Sequence, residues 1–295
     1  MAPALSTAAV HEEWAADDVA LEDVERALCR LREQAADETV GPDLRTSVMT
    51  HLAWVPPEWE EAALETLAGL GERHPSRGIL LVPDPPAADG LDAKVSVLAF
   101  PLRGQRRHVA AEVIELRLRG RCAQAPASIV MPLLVYDLPV FLRWRGRPPF
   151  GAPELDQLLE ICDRFVVDSG EWPDVPGAYA ELPFERAACS DIAWRRTEPW
   201  RRALAALWPG IGEVRELRVV GPEAESCLLA GWLSSRLGRG VELVREDANE
   251  LEDVSAGGES VRPLADHPSP SDLLSAELDE LGRDPVYEEA ARAAT

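Results

Sequence analysis

Residues 139–167 read PVFLRWRGRPPFGAPELDQLLEICDRFVV, and this stretch decides the fold. Pro139 to Trp144 is a short run dominated by apolar and aromatic side chains, the pattern of a buried strand. Pro153 opens a helix that runs to Cys162, where a first-turn proline costs no hydrogen bond. Arg164 to Val167 is a second short apolar strand. A strand, a helix and a strand in sequence predict parallel neighbours in one sheet, because parallel strands need a crossover between them.

The same alternation continues on both sides. Upstream, Asp17 or Asp18 caps a helix whose apolar positions Leu21, Val24, Leu28, Leu31 and Ala35 form one stripe, and Gly41-Pro42 ends it. Thr46 to Val55 reads as a buried strand. Pro56-Pro57 opens a helix carrying Leu64, Leu67 and Leu70, which stops at Gly71, and Gly78 to Val82 is a further strand. Val95 to Phe100 and Val109 to Arg119 read as a hairpin around Arg103-Gly104-Gln105. In its second arm Ile114, Leu116 and Leu118 alternate with Glu115, Arg117 and Arg119, the period of a strand with one wet face. Cys122 to Leu134 is predicted to be a helix.

Downstream, residues 170–190 are rich in Pro, Gly and aromatics and read as a connector. Ile192 to Trp208 is helical, followed by the strand Val214 to Val220, the helix Glu223 to Leu237 and the strand Val241 to Val244. Ser269-Pro270 and Asp284-Pro285 each open a final helix. The expected fold is therefore α/β, with a mixed, largely parallel sheet flanked by helices and a smaller α/β C-terminal domain. The expected organisation is a flexible tail at 1–15, an N-terminal domain at 16–170, a connector at 171–190 and a C-terminal domain at 191–295. Within the last, the acidic segment 246–269 is expected to be mobile.

Composition narrows the function. The formal net charge is −22 over 295 residues, and the excess sits at the ends: 10 acidic against 3 basic residues in 1–38, and 19 against 8 in 212–295. Such a surface repels phosphate backbones and anionic headgroups, which argues against nucleic-acid and membrane binding. No apolar run approaches the ~18–20 residues that span a bilayer. The first fourteen residues lack the basic start and apolar run of a secretion signal, so a cytoplasmic protein is expected. The five cysteines are widely spaced without a C-x-x-C pair, which fits reduced, mostly buried thiols.

Few motifs carry chemistry. Gly69-Leu70-Gly71 lacks a third glycine and precedes a strand where a dinucleotide motif follows one. Gly221-Pro222-Glu223 stands between strand and helix, but Glu223 and Glu225 put carboxylates where a phosphate would rest. The five histidines have no partner at metal-ligand spacing, and no nucleophile elbow exists. No cofactor, metal site or catalytic residue is expected, and the chain is read as not an enzyme. Asp168-Ser169 follows a strand, where α/β folds place functional groups, but it is also ordinary turn chemistry. Ser76 and Arg77, in His74-Pro75-Ser76-Arg77, form a candidate anion grip.

Two aromatic-basic segments point to a partner protein. Arg143, Trp144 and Arg145 alternate along a strand, and Trp194, Arg195, Arg196 and Trp200 lie in the helical stretch beyond the connector. Arg and Trp dominate protein–protein hot spots, so these seven residues are the candidate docking groups. The other reading is that each Trp fills the core while the arginines pair with the acidic surplus.

In order along the chain, Arg45-Thr46-Ser47-Val48, His74-Pro75-Ser76-Arg77 and Leu138 to Leu142 running into Trp144-Arg145-Gly146 resemble the glucose-6-phosphate dehydrogenase assembly proteins of the OpcA family, found in actinobacteria and cyanobacteria. So do Asp163-Arg164 into Val166-Val167-Asp168-Ser169, Asp191 to Arg196 with Pro199-Trp200-Arg201, and the closing Asp284 to Ala290. The similarity runs from about residue 40 to the C-terminus. Arg143 stands where the family pattern has a second Trp, Glu198 interrupts the Trp-Arg segment, and residues 246–269 look shortened. The resemblance implies a non-catalytic assembly protein and allosteric activator that binds glucose-6-phosphate dehydrogenase and promotes its active oligomer, in the pentose phosphate pathway. The alternative is a small-molecule binder or enzyme acting on a sugar-phosphate-like ligand through Ser76, Arg77 and Asp168.

Overall fold

The computed structural model describes residues 10–38, 44–45, 47–70, 74, 76–101, 108–263 and 268–294. The hairpin turn Arg103-Gly104-Gln105, the helix stops at Gly41-Pro42 and Gly71, and the first nine residues of the expected tail lie outside them. The chain divides into two compact units, residues 1–145 with 151–163, and residues 146–150 with 164–295.

The first unit contains β1 (Val10–Ala16), α1 (Leu21–Glu38), β2 (Leu44–Arg45), β3 (Met49–Trp54), α2 (Glu60–Leu70), β4 (Ser76–Asp84), β5 (Gly90–Pro101), β6 (His108–Arg119), α3 (Pro126–Val130), β7 (Val140–Trp144) and α4 (Pro153–Leu159). Its strands run in the order β1-β5-β6-β4-β3-β7, with β2 beside β6. β6, β4, β3 and β7 are parallel, while β5 joins β6 and β1 joins β5 antiparallel.

Along β6 one face is fully covered and the other is half-buried, the asymmetry its alternation predicts. Successive side chains point to opposite sides. Ile114, Leu116 and Leu118 are fully buried on one side, and Val113 on the other packs with Ala53, Val55 and Leu80 beneath α2. α1 lies on the Ile114 side, where Val24, Leu28, Leu31 and Ala35 are buried as the stripe predicts. Cys29, one position past that stripe, is exposed, whereas Cys189 and Cys227 are buried.

Two expectations change here. Val10 to Ala16 is not a loose tail; it is an edge strand whose register runs from Val10 opposite Ala99 to Ala16 opposite Ala93. The helix expected over 122–134 is instead a 3-10 turn at Gly120–Gln124, the short α3 and a second turn at Met131–Leu133. Pro126 and Pro132 break it, since proline lacks the N–H that continues a helix.

The second unit contains β8 (Arg164–Val167), α5 (Val175–Ala178), β9 (Ala188–Asp191), α6 (Ile192–Arg196), α7 (Glu198–Ala205), β10 (Glu216–Val220), α8 (Glu223–Leu237), β11 (Glu242–Glu246), β12 (Asp253–Ala256), β13 (Glu259–Val261), α9 (Pro270–Leu278) and α10 (Pro285–Ala293). β8 and β9 are parallel, and β11-β10-β12-β13 form a four-stranded sheet. The fold class is thus α/β, with a mixed, mostly parallel sheet flanked by helices and a second sheet in the C-terminal region.

Residues 171–190 do not form an open connector. Their aromatics are the reason: Trp172, Tyr179 and Phe184 are buried, and Trp172 packs on both Tyr179 and Phe150. The acidic segment 246–269 carries the β12/β13 hairpin, and Val254 and Ala256 on β12 are buried against β10. Residues 264–267 of it lie outside the described residues.

α8 is the central helix of this unit. It ends at Gly238, whose φ of 63° places it in the left-handed cap conformation that glycine adopts without strain. α10 crosses α8 so closely that a Cβ on Gly231 would overlap the Ala290 carbonyl oxygen. Ser269 caps α9 with a reciprocal Asp272 bond, and Asp284 caps α10 through the N–H groups of Val286 and Tyr287.

Candidate functional site

The carboxyl ends of β8 and β9 each carry an aspartate, and the second unit is organised around that pair. Asp168 follows β8 and accepts the Gly170 N–H at 3.1 Å, which starts a 3-10 turn. Asp191 ends β9 and accepts from the N–H groups of Ser169 (3.0 Å) and Ala193 (2.8 Å), capping α6. The Tyr287 hydroxyl of α10 donates to its other oxygen at 3.4 Å. Asp191 is fully buried. Burial foremost, and then the neighbouring Asp168 charge, push its pKa up to about 7.

Arg196 of α6 spans the rest of the arrangement. Its two terminal nitrogens hold Asp168 at 2.6 and 3.0 Å, a bidentate pair, while Nε donates to Glu225 of α8 at 2.5 Å. Next to it, Arg195 holds Glu277 of α9 at 2.7 Å and Glu280 at 3.3 Å. Glu277 also pairs with Arg164 at 3.1 Å, and Arg164 and Glu277 are each only 1% exposed. The indole N–H of Trp194 donates to Asp284 at 2.9 Å, and Arg201 stacks on the Trp194 ring. Burial, aided by Arg195 and Arg202, lowers the Arg201 pKa to about 10.

Of the two readings the sequence leaves open for this segment, the side chains here follow the one in which Trp fills the core and the arginines pair with carboxylates. Trp194 and Trp200 are 4% and 8% exposed, so neither projects as an open anchor. Their segment joins β9 to the C-terminal helices by bonds reaching up to 90 residues along the chain. Asp191, Glu225, Glu277, Asp284 and Tyr287 complete the network. Nothing local in the sequence marks them as its partners, apart from the Asp284-Pro285 cap.

The first-unit candidates have the same fate. Arg143 is 3% exposed and donates to the Trp144 carbonyl, and Trp144 is 2% exposed and stacks on Trp54 at 4.9 Å. Arg145 lies over the Trp59 ring, 4.6 Å from its centroid. Arg77 does not wait for an anion. It pairs with Glu112 at 2.8 Å and donates to the Leu133 carbonyl at 2.6 Å. Arg32 grips the other side of Glu112, and the two cations hold that carboxyl below its ordinary pKa despite strong burial. Ser76 lies half-buried at the start of β4.

A cleft of about 840 Å³ opens beside the Asp168–Arg196 pair. Of the seven candidate docking residues, Arg195, Arg196 and Trp200 line it, with Glu225, Glu252 and Leu273. Ser169 and Asp191, the groups nearest to a nucleophile and a base, are fully buried. Among the described residues no group of three or more His, Cys, Asp or Glu is placed to hold a metal ion, and no helix is long and apolar enough to cross a membrane.

Two family models match this chain, the glucose-6-phosphate dehydrogenase subunit N-terminal domain over residues 68–183 and the corresponding C-terminal domain over 187–291. The chain belongs to the OpcA family. Relatives whose names read OxPP cycle protein OpcA align with it in three cyanobacteria. The Nostoc punctiforme protein is 27% identical over 179 residues, and the Synechocystis and Synechococcus elongatus proteins are 24% identical over 178 and 183. These alignments cover 56, 56 and 57% of the chain but only 38, 37 and 41% of the relatives, so the chain spans about two fifths of their length. The boundary between the two OpcA domain models falls at 183–187, just before β9, so the Asp191 and Arg196 segment opens the C-terminal model.

Proposed function

We propose that this chain is a non-catalytic protein that binds glucose-6-phosphate dehydrogenase and promotes its active oligomer, raising flux into the pentose phosphate pathway from the cytoplasm. The observation that carries the reading is that both matching family models are named for that enzyme's subunit and together take in most of the chain. The geometry supports it in a different way. Arg195, Arg196, Trp194 and both aspartates are engaged with one another or with α8, α9 and α10, which suits a rigid scaffold. Allosteric activation of the partner belongs to the same proposal.

The sugar-phosphate alternative is disfavoured at both of its anchor points. Arg77 is committed to Glu112, and Asp168 is committed to Arg196. A phosphate at either place would have to displace a buried or half-buried carboxylate from a charge-assisted pair.

The test is a steady-state assay of the dehydrogenase from the same organism, alone and with this chain. The expected result is higher activity at limiting enzyme, and no activity from the chain alone. Identical kinetics with and without it refute the reading.

A further inference from the structure

One acceptor in the second-unit cleft is left unsatisfied by the fold. Glu225 is 3% exposed and lines the cleft. Its Oε1 takes the Arg196 Nε–H, but its Oε2 is buried without a hydrogen-bond partner. Such an orphaned buried oxygen is costly, and most are completed by a donor from water or a ligand.

The surroundings decide which donor fits. Every guanidinium lining the cleft is already engaged: Arg196 with Asp168 and Glu225, Arg195 with Glu277, Arg202 with Glu198, and Arg262 with Asp253. The lining carries five carboxylate residues against four arginines, and the first turn of α8 brings Glu223 besides Glu225. An anion entering here meets no unspent cation. The walls also offer apolar surface from Trp200, Pro222 and Leu251. That combination suits a long aliphatic stem ending in a cationic donor, the form of Lys and Arg.

We infer that the cleft receives a lysine or arginine side chain of the partner protein, its stem against Trp200 and Pro222 and its head at the Glu225 carboxylate. For the partner's identity this rests on the proposed binding to glucose-6-phosphate dehydrogenase. A basic anchor inserted in a cleft is the arrangement that concentrates binding energy at interfaces.

The experiment measures binding of the dehydrogenase to the wild-type chain, to Glu225→Gln, which puts a competing amide donor at the orphan position, and to Glu252→Arg. Glu252 is an exposed rim residue, so its reversal leaves the interior intact. Both variants are expected to weaken binding at least about tenfold, the effect of losing one charged contact. If the wild type binds and both variants bind within about twofold of it, this inference is overturned while the function stands. If the wild type does not bind, the functional reading fails. The cleft is then judged by the Trp200 indole NMR signal during titration with N-acetyl-arginine methylamide and, separately, glucose 6-phosphate. A saturable shift with the arginine probe alone, lost in Glu225→Gln, supports a cation-accepting cleft. No shift with the arginine probe, or a shift with the phosphate instead, overturns it.

Discussion

Replacing Asp191 with Asn should stabilise this protein at neutral and alkaline pH, although it removes a charged group from the centre of a hydrogen-bond network. Asn keeps the oxygen that accepts from Ser169 and Ala193, so the α6 cap and the β8–β9 link survive. What it removes is a buried carboxylate beside Asp168. Folding lifts the Asp191 pKa from 3.8 to about 7. Between those values the folded chain holds a proton that the unfolded chain has lost, so stability falls as pH rises through the window and levels off above it. Each pH unit is worth about 1.4 kcal/mol, so the whole span amounts to at most about 4 kcal/mol.

The assay is urea unfolding of wild type and Asp191→Asn across pH, followed by tryptophan fluorescence. The variant-minus-wild-type difference cancels the titrating groups that do not interact with Asp191. It should be near zero at about pH 4 and grow to ~1–4 kcal/mol in the variant's favour by about pH 8. A difference that stays flat over that range, or that favours wild type more as pH rises, would refute the argument that burial and Asp168 oppose ionisation.

Two other substitutions probe the packing. Glu112→Gln leaves Arg32 and Arg77 without their carboxylate and should cost ~3–5 kcal/mol by chemical denaturation. Because that carboxyl titrates below its ordinary 4.5, its contribution is complete above that pH and lost as pH falls through the folded value, so the variant should show a shallower acid-unfolding profile. Gly231→Ala forces a methyl against the Ala290 carbonyl and should cost ~1–3 kcal/mol, seen as a lower Tm and faster proteolysis of α10.

The sequence carried the fold further than it carried the site. Ile114, Leu116 and Leu118 identified β6, since a period of two has one structural meaning, and α8 runs from Glu223 to Leu237 as its flanking Pro222 and Gly238 require. Local chemistry also located the Ser269 and Asp284 caps. Where composition stood in for packing, the reading drifted. Residues 171–190 look like a linker by their Pro and Gly, yet Tyr179 is buried and bonded to Ser169 at 2.9 Å.

The site was legible as segments and not as side-chain roles. Whether Arg195 is a docking group or a structural one depends on Glu277, 82 residues away, and nothing in either segment announces the other. The orphaned Glu225 oxygen is harder still to foresee. It arises from the approach of α6 to α8, and a glutamate in the first turn of a helix is otherwise an ordinary dipole-complementing residue.

If this chain acts through the dehydrogenase, sedimentation velocity of the two proteins together will show it. The dehydrogenase of the same organism would be run alone and with increasing amounts of the chain, at concentrations where the enzyme is partly dissociated. The expected result is a faster boundary containing both proteins, with the enzyme's dissociated fraction falling as the chain is added. Two independent boundaries, each unchanged from its isolated run at every ratio, would contradict it.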